Sequence, residues 1–176
     1  DKRNLQSRKE SHTEYRFDLM QELLNQNDAL TPLKAAEILR NREGLKGEKL
    51  GLGNEKAINQ LLAHHGIIFK PEERKVWISA NPYQLGAFVA YDLKEAFRRF
   101  ASGNIRESVA SLEETIPEDE FLESREFENY REYRRLSENI SEALAAGRLV
   151  PEEDLDRLTQ LNPNYWKAYS LAGEYY

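Results

Sequence analysis

The sequence predicts an α+β fold, mostly helical, and three observations lead there. Apolar residues recur at helical spacing over most of the 176 residues. One stretch, 65–80, carries the signature of a β-hairpin. Proline and glycine punctuate the remainder at intervals suited to short helices.

The elements follow in order. Residues 1–10 show no periodicity and read as a linker or extended arm. From 13 to 26, Tyr15, Leu19 and Leu23 fall at steps of four, with Met20 and Leu24 beside them, which predicts an amphipathic helix. Thr31-Pro32 opens the next helix, with threonine as N-cap and proline at the first helical position. Leu33, Ala35, Ala36 and Leu39 supply its buried face. The glycine-rich stretch 41–54 lacks the Gly-Lys-Ser/Thr ending and the preceding strand of a phosphate cradle, so it reads as a plain loop.

The runs HGIIFK and KVWISA flank the turn PEER in the hairpin. Both faces carry apolar residues, which predicts cover on both sides and burial of Ile67, Ile68, Val76 and Ile78. A lone hairpin is marginal in water. No further strand is evident, so the hairpin is expected to join a sheet supplied from elsewhere. Residues 81–93 read as an irregular aromatic stretch. Asp92 then caps a helix whose stripe is Leu93, Ala96, Phe97 and Phe100. Beyond about 104 the pattern is helical throughout, in segments near 105–115, 118–146 and 151–161. A boundary is therefore placed near 101, between an N-terminal unit (1–100) and a helical tail (101–176).

Net charge is −6, which argues against a nucleic-acid surface. No apolar run is long enough to span a membrane. The absence of cysteine removes thiolate metal sites and a cysteine nucleophile together. Only three histidines are present, too few ligands for a metal centre, and no cofactor is expected. The carboxylates at 113–128 are interleaved with arginine and read as a solvated face. His64, His65, Asn81 and Tyr83 remain as candidates for a substrate pocket.

Four motifs in order carry a family resemblance: His64-His65-Gly66, Val76-Trp77-Ile78-Ser79, Pro82-Tyr83-Gln84-Leu85-Gly86 and Tyr91-Asp92-Leu93. With the helical stretch ahead of them, residues 11–100 resemble the C-terminal portion of the acyl-CoA:6-aminopenicillanic-acid acyltransferase family, relatives of the choloylglycine hydrolases. Gly66 stands where that family usually has serine. The resemblance implies an αββα sandwich and self-cleavage that exposes an N-terminal cysteine. It also implies hydrolysis or transfer of acyl groups on amides. The nucleophile would then lie upstream, and this stretch would supply sheet and pocket wall with no catalytic residue of its own. Its expected partners are that upstream portion and a small amide substrate.

The end of the sequence, with Tyr169, Ala172, Gly173 and Tyr176 at helical spacing after an Asn-Pro, resembles the first helix of a tetratricopeptide repeat. That resemblance implies an antiparallel helical array and a rival function, a module that binds a protein partner. Tyr165, Ala168, Tyr169 and Ala172 should pack on the 151–161 helix, leaving Leu171, Tyr175 and Tyr176 uncovered. A start without methionine and a final helix stopping in mid-pattern lead to the expectation of a piece cut from a longer protein.

Overall fold

The computed structural model describes residues 11–26, 29–103 and 108–174. The expected arm at 1–10 and the final Tyr175-Tyr176 lie outside the described residues. Among the described residues, six α-helices and a four-stranded antiparallel sheet make up an α+β fold. The order is α1 (Thr13–Asn25), α2 (Pro32–Leu39), β1 (Ile67–Lys70), β2 (Lys75–Ser79), β3 (Phe88–Asp92), α3 (Leu93–Ala101), β4 (Ala110–Ile116), α4 (Arg125–Ala145), α5 (Glu152–Leu161) and α6 (Trp166–Gly173).

Local chemistry places most of the ends. Thr31 and Asp92 accept from Lys34 N and Glu95 N and so cap α2 and α3. The hairpin turns over Pro71–Glu73, with Arg74 in the left-handed region closing it. The strands then run as a meander, β1-β2-β3-β4. Two expectations fail here. The chain supplies two further strands of its own, and the stretch near 105–115 ends in strand β4 instead of helix. Strand β4 lies beyond the boundary placed near 101, yet it pairs with β3 through Phe88–Ile116 and Tyr91–Ala110. Pairing outweighs local preference: Glu113 and Glu114 stay exposed, and the main-chain carbonyl of Glu114 accepts from Trp77 Nε1 at 2.9 Å.

The register sets the two faces of the sheet. Ile68, Trp77 and Ala90 stand opposite one another, and with Phe88 and Ile116 they form a buried layer under Ala36 of α2. Ala35 and Leu39 pack at its margin, whereas Leu33 turns to solvent. On the other face, Ile67, Ile78 and Val89 are aligned. Cover on both sides is not found: Ile67 is 43% exposed and Phe69 66%, while Val76 on the same face is buried. The stripe on α3 also points outward, with Phe97 at 70% and Phe100 at 73%. Of the four hairpin residues expected inside, Ile68 and Val76 are buried and Ile67 and Ile78 are not.

A second core joins α4, α5 and α6 to the loops before the sheet. Phe127, Tyr130, Tyr133, Ile140, Leu155, Leu158 and Ala168 pack with Leu61 and Leu85. Helix α4 begins later than the 118–146 pattern suggests, because Ser124 takes the capping role by accepting from Phe127 N, and Glu120–Glu123 form a 3₁₀ turn. In α6, Tyr165 and Ala168 are buried as expected and Ala172 packs at the core's edge. Tyr169 is exposed, and Leu171, expected outside, also packs against this core.

Candidate functional site

The glycine-rich loop, 41–54, is irregular apart from one 3₁₀ turn, and side chains pin it. Asn162, at the end of α5, accepts from Leu52 N and donates to Leu52 O, a two-bond clamp across 110 residues. Gly51 has φ +80 and lies so close that a Cβ there would stand 2.5 Å from Tyr165 N. A cleft of about 330 Å³ opens between this loop, Phe121 and the α5–α6 junction. Another, of about 430 Å³, lies between the end of α2 and Glu118–Glu120. Arg42 separates them: it pairs with Asp119 at 3.0 Å and stacks on the Phe121 ring. None of the four expected pocket residues lines either cleft.

Those four lie elsewhere, on two segments that adjoin at one end of the sheet. Gly66 O accepts from Ser79 N and Gly66 N donates to Ser79 Oγ, which brings His64-His65-Gly66 beside the turn that leaves β2. That turn, 80–87, is closed by Ala80 N donating to Ala87 O. His64, His65 and Asn81 are exposed, and Tyr83 is half-buried. Tyr83 Oη accepts from Arg134 Nη1 of α4 at 3.0 Å.

The backbone of this turn is strained. Tyr83 and Gln84 are consecutive non-glycine residues at φ 51 and 64, a conformation that costs roughly 1–3 kcal/mol each and persists only where the surroundings enforce it. Two buried side chains provide that enforcement. Asn59 donates through Nδ2 to Tyr83 O at 2.9 Å. Arg40 donates to the carbonyls of Gln84, Leu85 and Gly86, and to Pro117 O at 2.8 Å. Burial lowers the pKa of the Arg40 guanidinium, and the nearby Asp119 carboxylate opposes the shift. Gly86 fits because a Cβ there would lie 2.5 Å from Asn81 O. At Gly66 a Cβ would lie 2.5 Å from Gln84 Oε1. Gly86, which meets only backbone, thus has a steric reason for its identity.

Arg40 and Asn59 are the residues that reasoning from sequence missed. Nothing in their local spacing marks them, since each acts on carbonyls distant in the chain. Among the described residues no group of three or more histidine and carboxylate side chains is arranged to hold a metal ion, and no helix is long and apolar enough to cross a membrane. No family model, no curated protein and no solved structure matches the chain.

Proposed function

We propose that this chain is the C-terminal part of an N-terminal-nucleophile amide hydrolase or acyltransferase, inert alone because the nucleophile lies upstream. One observation carries the reading. The stretch bearing the four motifs supplies three strands of an antiparallel sheet with a helix on one face, and the other face leaves Ile67, Phe69 and Ile78 exposed around the buried Val76. An αββα sandwich requires such a layer of each sheet: helices outside, a second sheet inside. In this reading the end of the sheet carrying His64, His65, Asn81 and Tyr83 is a wall of the acyl pocket. Clamping by Asn59 and Arg40 keeps that wall rigid, which positions a substrate without contributing to bond breaking.

The test is expression of the whole coding region that contains this chain. Self-cleavage to an N-terminal cysteine, read by mass spectrometry, and turnover of penicillin V or a conjugated bile salt are expected, with no turnover by the 176-residue chain alone. Turnover by the chain alone, with contaminating hydrolases removed, would sink the reading. So would a full-length protein that neither cleaves itself nor hydrolyses any amide.

For the helical tail a second reading, a protein-interaction module, draws on Trp166 and Tyr169, both more than half exposed on α6. A partner recovered with the full-length protein and lost with Trp166→Ala plus Tyr169→Ala would support it, and a partner retained by that variant would refute it.

A further inference from the structure

We propose that the outward face of α3, built on Phe97 and Phe100, docks on an anionic lipid membrane. The inference is independent of the amide-hydrolase reading. Phe97 is 70% exposed and Phe100 73%, one turn apart on a nine-residue helix. An amphipathic helix ordinarily lays its apolar stripe on the protein and its charges in water. Helix α3 is turned otherwise. Its half-buried residues are Leu93, Glu95, Ala96 and Arg99, two of them charged. Glu95 pairs with Arg98 and Arg99, and Arg99 Nη1 donates to Ser108 O at 3.3 Å. The helix thus meets the protein largely through a polar edge and leaves both rings in solvent.

Charge selects the occupant. Lys94 and Arg98 are exposed and lie on the Phe97 flank of the helix. Residues 93–101 hold three cations and one carboxylate, a net +2, in a chain of net −6. The exposed Arg74 of the hairpin turn adjoins them, since Arg74 O accepts from Leu93 N at 2.9 Å. Aromatic rings that enter the acyl boundary, with lysine and arginine reaching lipid phosphates beside them, are the make-up of a helix lying in a membrane interface. A second copy fits less well. A two-fold contact through this face would set the cations of one α3 against those of the other.

The placement in the fold agrees with such a role. Helix α3 starts at the hairpin-turn end of the sheet, where Asp92 stands opposite Lys75. His64, His65, Asn81 and Tyr83 lie at the other end, beyond Ser79 and Phe88. A membrane held at α3 leaves that end open to water.

The experiment is co-sedimentation of the full-length protein, and in parallel the 176-residue chain, with phosphatidylcholine vesicles that contain or lack phosphatidylserine. Both proteins are expected to pellet with the anionic vesicles, less so in high salt, and not with the neutral ones. Phe97→Ala plus Phe100→Ala should weaken binding more than about tenfold. Lys94→Gln plus Arg98→Gln should weaken it about fivefold for each cation removed. Circular dichroism checks that the variants fold, and if the phenylalanine variant does not, the charge variant decides. No pelleting with anionic vesicles, equal pelleting with neutral ones, or unchanged binding in either folded variant would overturn the proposal. Binding by the chain that the full-length protein lacks would also overturn it and assign the face to the upstream portion. A full-length dimer that the phenylalanine variant dissolves, without lipid binding, would overturn it in favour of a second copy.

Discussion

Asn59→Ala is the most informative single change. Asn59 is 1% exposed and holds two left-handed residues at once: Nδ2 donates to Tyr83 O, and Oδ1 accepts from Leu61 N, both at 2.9 Å. Tyr83 has φ 51 and Leu61 φ 52. Truncation leaves a buried carbonyl and a buried N–H without partners, at about 1–3 kcal/mol each. Relaxation of the strained backbone recovers part of that, so a net loss of about 2–5 kcal/mol is expected. In a protein with about 5–15 kcal/mol of total stability this is a large fraction. The assay is urea unfolding followed by circular dichroism. With a slope of about 2 kcal/mol per molar, the midpoint should fall by about 1–2.5 M. Asn139→Ala, on the exposed side of α4, is the control and should leave the midpoint in place. A loss below about 0.5 kcal/mol in Asn59→Ala, the level of an ordinary surface change, would refute the claim that this side chain enforces the turn.

Three further outcomes follow from the same geometry. Arg98 and Arg99 hold the Glu95 carboxyl down at about 2; its contribution to stability is present above the ordinary carboxylate range and lost as pH falls through about 2, and NMR titration should show its pKa rising in Arg98→Ala. Burial raises the Tyr130 hydroxyl to about 12, so the stability tied to its neutral form is complete below pH 10 and lost as pH climbs toward about 12; tyrosinate absorbance should show a late phase, shared with the buried Tyr133 and Tyr165, that Tyr130→Phe lowers by one tyrosine. Of the two tryptophans, Trp77 is 4% exposed and Trp166 55%. Iodide should quench only the red-shifted component of the emission, and Trp77→Phe should remove the protected one.

Much of the framework is legible from sequence because it is written in neighbouring residues. The Thr31 and Asp92 caps, the proline before α5, and the alternation through the hairpin each need only a few positions to be read. Strands β3 and β4 are hidden for a physical reason. In β4 the exposed Glu113 and Glu114 mimic a solvated helix face, and only pairing to β3 decides otherwise. The clamps are less visible still. Arg40 acts on a turn 44 residues away and Asn162 on a loop 110 residues away, so no local window contains both partners. Pro82-Tyr83-Gln84-Leu85-Gly86 stands out as a motif, but its strain emerges only with the backbone angles.

The clamp between Asn162 and Leu52 also dictates an order of assembly. Synthesis delivers the glycine-rich loop early, yet its anchoring partner is made 110 residues later. Helix α2 and the β1–β2 hairpin can form in the meantime, since their contacts are close in the chain. Residues 50–54, with Leu61 behind them, have to wait until α5 and α6 arrive to bury them. Through that interval Leu52 and Leu61 are open to chance association. A nascent chain stalled between β4 and α5 should therefore be the species that chaperones hold and proteases cut, with cleavage falling in the 41–61 stretch.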